Sequence, residues 1–547
     1  MGIERMDERT AVLVGAEFEE NLSTRYLASA ARLAGFQVIL TPFNNGDEQP
    51  TVVRDILSVK PMVVGISTPF QTRAKEFLSL SEQLRRSGYD GHITLGGHFP
   101  TFEYLSIMRD CPAVDSVVRH EGEETFCELC RRLRQGDSID NIPGLVTRKQ
   151  AEIVVGSKRP LPKLDSLEFP DRAGKDPHRV LGVPCAPIIG SRGCYANCAF
   201  CCINAYSRNA DGPRFRRRSP ENIVQEMAQE YHQRGVRLFV FHDDNFFVPN
   251  QPSNMIRYRE LADCLAQAGL TDIGLVIKCR PSDVDPELFS VLKRMGLIRV
   301  YVGIESNSSE GLISLNRGVS QEDNRRAIHI LNDLGIYHSF NLLIFDPEAT
   351  LNGIRANLAF MEEFAESPSN FCRAEVYAGT PLKEILERQG RLVGNYLAWN
   401  YAMRDSRVEM LFRIASTAFA SRNFKCDGAA NLNMGIRFDA EVMRRFYPES
   451  FPCELDADLK SLSKAISQDS VDQMRRAVEF VSTEDFLDDG LVRGFTIGLA
   501  RQIATRDLEF VSAIKTKKRL MERVTGTSFT SKPTFADTAV GASGLGA

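Results

Sequence analysis

Gly193-Cys194-Tyr195-Ala196-Asn197-Cys198-Ala199-Phe200-Cys201-Cys202 is the stretch whose reading decides the fold. Three of its cysteines, Cys194, Cys198 and Cys201, fall at C-x3-C-x2-C. Thiolates are soft ligands that suit iron–sulfur clusters and zinc. A closed four-iron centre takes four cysteines, whereas this run supplies three at regular spacing and leaves one iron for another ligand. Cys202 follows Cys201 directly, so its side chain points away from a cluster and is not counted as a fourth ligand. Two plainer readings stand beside this one. A zinc knuckle needs a fourth Cys or His nearby, and the nearest downstream histidine is His232. Free cysteines also occur together simply as small buried hydrophobes.

The rest of the chain narrows the setting. At 547 residues it is long enough for several domains. Its 43% hydrophobic and 25% charged residues are those of a globular protein. A net charge of −4 carries no nucleic-acid footprint. No apolar run approaches the ~20 residues of a membrane span, and the charged start Met1 to Arg9 has no signal-peptide core. Neither a nucleic-acid nor a membrane partner is expected. Thirteen cysteines with no framework outside one cluster point to a reducing cytoplasm.

Ahead of the cysteines, short β runs alternate with amphipathic stretches: Ala11–Gly15, Gln37–Leu40, Met62–Ser67, His92–Gly97 and Ser116–Arg119, with helices at Leu22–Leu33 and Ala74–Arg86. This pattern predicts an α/β fold with a doubly wound parallel sheet over residues 8–142. Ligands of such sheets sit beyond the carboxyl ends of the strands, here Gly15-Ala16-Glu17, Ser67-Thr68-Pro69 and Gly96-Gly97-His98. Cys127 and Cys130 look like a C-x2-C, but helical spacing makes them core residues. Proline-rich residues 143–183 read as a linker.

From residue 184 to 395 the alternation resumes. Strands are expected at Ala186–Gly190, Arg237–Phe241, Gly274–Ile277, Arg299–Val302, Ser339–Ile344 and Ala374–Tyr377. Six βα units make a partial barrel, (β/α)6, whose chemistry collects at the strands' carboxyl ends. The basic run Arg214–Arg218 reads as a solvated or salt-bridged loop, and His242 and His338 as core histidines. Residues 396–525 are predicted to be mostly helical, and 526–547, rich in Thr, Ser, Gly and Ala, a disordered tail.

With Phe200 as the aromatic before the last cysteine, the loop resembles the C-x3-C-x-aromatic-C signature of the radical SAM superfamily. The Asn21-Leu22-x-x-Arg25-Tyr26-Leu27, Gly96-Gly97-His98 and Arg119-to-Thr125 stretches resemble the cobalamin-binding domain of B12-dependent radical SAM proteins, over roughly residues 8–145. The resemblance implies a Rossmann-like cobalamin domain, a partial TIM barrel of the radical SAM type and a helical C-terminal domain that covers the barrel mouth. Tyr396, Trp399 and Tyr401 either line that cover or simply pack.

The resemblance also implies three cofactors. A [4Fe-4S] cluster falls to Cys194, Cys198 and Cys201. S-adenosyl-L-methionine (SAM) falls to Phe200, Asp243, Asp244, Lys278, Arg280, Glu305, Ser306, Arg317 and Tyr377. Within that set Glu305 is expected on the ribose hydroxyls, and Lys278, Arg280 and Arg317 on the carboxylate. Asp243-Asp244 stands where the family has Gly-Gly-Glu at the SAM amino group. Cobalamin falls to Glu17, Ser67, Thr68, Gly96, Gly97, His98 and Glu121. The Asp-x-His-x-x-Gly motif is missing after the first strand, so cobalamin is expected base-off with no histidine on its lower face.

The activity implied is methylation of an unactivated carbon of a small natural-product substrate, through a 5′-deoxyadenosyl radical and methylcobalamin. An external flavodoxin- or ferredoxin-like protein is expected to supply the electron. A cyclase or rearrangement without methyl transfer is the alternative, and a cobalamin- or redox-sensing binding protein a weaker one. A methylthiotransferase fits less well, because Cys111, Cys127 and Cys130 do not match that family's second cluster. Both domains are expected to pack face to face, with Ser67, Thr68, Gly96 and Gly97 opposite the cysteine loop.

Overall fold

The computed structural model describes residues 7–150 and 152–527. Most of the tail expected at 526–547 lies outside the described residues. The first sheet has seven strands, in the order Gln37–Pro42, Asp7–Gly15, Pro61–Ser67, His92–Gly96, Ser116–Val118, Leu145–Lys149, Glu152–Val155. The first five are parallel, the two-one-three-four-five order of a doubly wound sheet with its switch point beside the first strand. All seven residues of Pro61–Ser67 are buried, as a strand covered by helices on both faces must be.

The last two strands are antiparallel and come from the stretch expected to be linker. Proline density at its edges had marked a boundary, but Leu145-Val146-Thr147 inside it carries a buried β run that closes the sheet's open edge.

The second sheet is the partial barrel. Its parallel strands are Val183–Ile188, Leu238–Phe241, Gly274–Cys279, Leu297–Glu305, Tyr337–Phe345 and Ser369–Arg373, with His178–Val180 antiparallel at one edge. Six βα units were expected and six are present. The sixth strand ends at Arg373, ahead of the expected Ala374–Tyr377, which instead forms the loop at its carboxyl end.

The C-terminal helices are led by Ser406–Ala418, Ala429–Phe446, Leu455–Val481 and Asp489–Thr525, and the first packs Phe412 on Phe345 at the carboxyl end of the fifth barrel strand. Helix Ala429–Phe446 lies against the opposite end. Arg445 donates to the carbonyls of Thr271 and Ile273, just ahead of the third barrel strand. Tyr337, which begins the fifth, donates to the carbonyl of Met434. Phe438 and Val442 pack with Leu238, Val240 and Val276 in one apolar cluster. The lower rim of an open six-stranded barrel is apolar, and this helix shields it from water. Tyr401 packs, donating to the carbonyls of Phe345 and Ala374, and Tyr396 stacks on Phe99 of the first domain.

One buried ionic network joins the two sheets. Arg172, 6% exposed, donates to Glu20 of the first domain (2.7 Å), to Glu226 on a barrel helix (2.8 Å) and to the carbonyl of Pro187 on the first barrel strand (2.6 Å). Arg234 reaches Glu20 and Arg218 reaches Glu226. Burial works against the charge on Arg172, but Glu226, Glu230 and Glu20 outweigh it and hold the guanidinium above its usual pKa. Burial likewise opposes ionisation of Glu20, but Arg172 and Arg234 overcome it and hold the carboxyl below its usual value.

Removing one partner of such a network strands the others in a low-dielectric site, at a cost of about 3–5 kcal/mol. Arg172→Met is therefore expected to lower unfolding stability by about that amount, read as a shift in the denaturant midpoint. Because the folded pKa of Glu20 is depressed, its contribution is complete at neutral pH and fades as pH falls through the carboxylate range. Arg172→Met is accordingly expected to flatten the acid limb of the stability profile; an unchanged midpoint and acid limb would show that the network holds nothing.

Candidate functional site

The cysteine loop runs from the short strand Ser191–Gly193 to the helix Cys202–Asn209, with Cys201 at the helix N-cap. Gly193 is required here: its φ is +85°, and a Cβ would meet the carbonyl oxygen of Arg214 at 1.9 Å. The loop is pinned from three sides. Ala199 N–H donates to Leu315, Leu382 N–H donates to the carbonyl of Ala199, and the Asn316 side chain donates to the carbonyl of Asn197.

Cys198 is buried, and Cys194 and Cys201 are half-buried. Burial pushes the Cys194 thiol up to about 11 and Cys201 well above its usual value. Two guanidiniums meet at the Cys198 sulfur, Arg317 at 2.9 Å and Arg280 at 3.2 Å. Among the described residues no three His, Cys, Asp or Glu side chains converge on a single point. A cubane cluster takes one thiolate per iron, so its ligands need not meet at a point.

The strand ends around the loop are polar. Asp243 is buried, accepting from Gly190 N–H (2.7 Å) and the Ser191 hydroxyl (2.6 Å). Burial raises its pKa to about 7 against those two bonds. Asp244 accepts from Gly193 N–H at 2.9 Å and faces the cavity described below. Glu305 ends the fourth barrel strand in the left-handed region, at φ +64°, and folds back over Gly303 beside Arg317. Burial raises its pKa, partly offset by Arg317 and Arg280. Its carboxylate accepts no hydrogen bond from any described residue, so both oxygens remain able to take hydroxyl donors.

Between the two sheets lies a cavity of about 1050 Å³. Its walls include Ser67, Gly96, Gly97, His98 and Glu121 from the first domain and Asp244 and Lys278 from the barrel. The other expected residues sit elsewhere. Glu17 turns away to pair with Arg25 and with Lys175 (2.6 Å). Thr68 is fully buried beneath Gly97. Phe200 packs on the barrel core, Ser306 is fully buried, and Tyr377 donates to Glu375. Arg280 and Arg317, expected on a carboxylate, are turned onto Cys198.

Four residues absent from the sequence-based set shape the cleft. Arg192, one residue before Gly193, donates to Glu121 and Glu123 across the domain interface, both at 2.8 Å, and Arg216 also reaches Glu121. Tyr206, on the helix after the loop, lies 4.3 Å from the His98 ring and 4.9 Å from the His120 ring. His120 is 8% exposed at φ +61°, and neither ring nitrogen has a partner. Burial, and after it the charge of Arg119, lower its pKa to about 4, leaving a neutral imidazole. No local motif marks Tyr206; His120 falls within the Arg119-to-Thr125 stretch but carries no spacing signal of its own.

Comparison with known proteins gives two domain matches. The Radical SAM superfamily model matches residues 188–359, and the B12 binding domain model matches residues 9–130. The chain is similar to the uncharacterized methyltransferase PH0819 of Pyrococcus horikoshii, at 27% identity over 66% of this chain and 77% of that protein. It is also similar to the anaerobic magnesium-protoporphyrin IX monomethyl ester cyclase of Rubrivivax gelatinosus, at 24% identity over 67% of this chain and 65% of that one. In fold it is similar to the cobalamin-dependent S-adenosylmethionine radical enzyme OxsB with aqua-cobalamin bound. That match has a TM-score of 0.66 and 16% identity, over 95% of this chain and 84% of OxsB.

The residues present fit the cofactors these domains take. Three thiols on one pinned loop, with two guanidiniums against one of them, suit a [4Fe-4S] cluster. The unbonded Glu305 carboxylate suits the ribose of SAM. The orphaned imidazole of His120 above the first sheet's strand ends suits the amide-rich rim of cobalamin, since an unpartnered buried polar group is costly without a ligand.

Anaerobically reconstituted Cys194→Ala, Cys198→Ala and Cys201→Ala variants are expected to lose cluster iron and reductive SAM cleavage, whereas Cys202→Ala keeps most of both. Iron content and 5′-deoxyadenosine formation measure this, and full cleavage by Cys198→Ala would remove that residue from the cluster.

Proposed function

This chain is a radical SAM enzyme with an N-terminal B12-binding domain, and we propose that it is a cobalamin-dependent methyltransferase acting on an unactivated carbon of a small molecule. The observation that carries this reading is a continuous cavity between the first sheet's strand ends and the barrel mouth, with the cysteine loop beside it. A carbon with no acidic proton cannot attack a sulfonium methyl directly, so the difficult steps belong to cofactors held close together. When bound, the cluster with SAM supplies one-electron chemistry and a primary radical, and cobalamin supplies a transferable methyl group.

The protein's own residues do the holding. Cys194, Cys198 and Cys201 are the proposed cluster ligands. Arg317 and Arg280 offset the charge at Cys198. Glu305 accepts the ribose hydroxyls, and Asp244 with Lys278 takes the charged ends of the amino-acid moiety. Ser67, Gly96, Gly97, His98 and Glu121 form the cobalamin floor. Arg192 and Arg216 on Glu121 keep the two faces together and help exclude water from the cleft.

Among the described residues no helix is long and apolar enough to cross a membrane. The reading places the enzyme in the cytoplasm with a flavodoxin- or ferredoxin-like protein as electron donor. The likeness to the cyclase favours one second reading, a ring-forming or rearranging reaction at the same site without methyl transfer.

With the true substrate, S-adenosylhomocysteine and 5′-deoxyadenosine are expected in about equal amounts, and the product gains the mass of one methylene, as mass spectrometry with methyl-labelled SAM will show. If 5′-deoxyadenosine tracks turnover but neither S-adenosylhomocysteine nor the added mass appears, the methyltransferase reading gives way to the second.

A further inference from the structure

The cavity does not stop at the barrel mouth. Beyond Asp244 and Lys278 it continues down the lumen past Val240, Val276 and Tyr301 to Arg299 and Phe438. Arg299 is the third residue of the strand Leu297–Glu305, six residues before Glu305 and so about 20 Å below it at the rise of a β-strand. It is 5% exposed. Its one side-chain hydrogen bond is to the Ser339 hydroxyl, at 3.3 Å. Its Nε has no partner, and among the described residues no carboxylate pairs with it.

The guanidinium is nevertheless held in place. It lies 5.0 Å from the Phe438 ring and 5.6 Å from the Tyr337 ring. On the same Tyr337 ring, 5.6 Å away, sits a second guanidinium, Arg437, whose nearest carboxylate is Asp456 at 3.7 Å. Asp456 and the buried Glu441, itself paired with Arg444, lie on the Arg437 side of the ring, and neither pairs with Arg299, whose charge stays unpartnered at the foot of the cavity. A buried charge without a partner is strongly disfavoured unless a ligand supplies one. Lys278, higher in the lumen, acts on the Asp244 carboxylate at the mouth, and no described carboxylate reaches Arg299 below it.

We propose that Arg299 is the anchor for an anionic head group, a carboxylate or a phosphate, on an elongated substrate whose body lies along the lumen between Val240, Val276 and Tyr301. Mixed polar groups at the mouth, an apolar waist and a cation at the foot match a molecule that is apolar along its length and acidic at its far end. The proposal rests on the reading that chemistry takes place at the mouth, and it names the class of substrate that reading leaves open. An acid anchored at Arg299 presents to the mouth a carbon remote from its own charged group. Such a carbon has no neighbouring group to activate it.

The test is equilibrium binding to the cluster-reconstituted, cobalamin-loaded enzyme by isothermal titration, with decanoate, decyl phosphate, decanamide and decanol as probes. At least one of the two anions is expected to bind ten-fold or more tightly than both neutral probes, and which of the two binds more tightly identifies the head group. That preference is expected to vanish in Arg299→Gln and to return largely in Arg299→Lys. It should persist in Arg437→Gln, which removes a neighbouring buried cation that does not line the cavity. Circular dichroism and cluster content of each variant report folding independently, and the Arg299→Lys rescue guards against a merely structural effect. Equal binding of charged and neutral probes, no binding by any probe, or a preference that survives Arg299→Gln overturns the proposal. None of these outcomes bears on the S-adenosylhomocysteine and 5′-deoxyadenosine products, so failure of the anchor and failure of the methyltransferase reading are read separately.

Discussion

The structure depends on the buried charge network around Arg172. Its guanidinium touches a carboxylate of the first domain, a carboxylate of a barrel helix and a carbonyl of the first barrel strand. An arginine can do this because its planar fork presents five donors in fixed directions. Ionic contacts of this kind are poor sources of net stability but demanding in geometry. The network sets where the first sheet stands relative to the barrel, and the cleft between them is a consequence of that placement.

A second set of contacts works at the mouth itself. Arg192 and Arg216 come from the two short strands that flank the cysteine loop, and both end on Glu121 of the first domain. The loop and the strand ends are thus tied within one charge cluster, so neither shifts without the other. On the far side Gly379 admits the Phe102 ring, which a Cβ would strike at 2.2 Å, and Gln71 accepts from Ala378 N–H. Contacts on opposite sides hold the mouth at a fixed width, as a site for large cofactors requires.

One C-terminal helix completes the barrel from below. An open sheet of six strands leaves its lower rim to water, and helix Ala429–Phe446 covers it with Phe438 and Val442. The same helix places Phe438 against Arg299. The cover that stabilises the barrel therefore also shapes the foot of the cavity, and variation in this region would alter what the lumen accepts without touching the cysteine loop.

The sequence by itself determined the elements and the chemistry of the loop. Helices Leu22–Leu33 and Ala74–Arg86 stand where their apolar spacing placed them, because burial of one stripe acts within a few turns of chain. The C-x3-C-x2-C spacing is likewise local and needed no tertiary information. What only the tertiary structure decided is which side chains from distant segments meet. Arg192 finds Glu121 from 71 residues away, and Arg172 finds Glu20 from 152. Leu145–Lys149 and Glu152–Val155 joined the first sheet because its edge was open, although the flanking prolines read as a linker. Helix Ala429–Phe446 went beneath the barrel rather than over it, because helix periodicity tells which face is buried and not what buries it. Tyr206, His120 and Arg299 carry no motif; burial in a shared cavity is what marks them, and burial is a property of the packed chain.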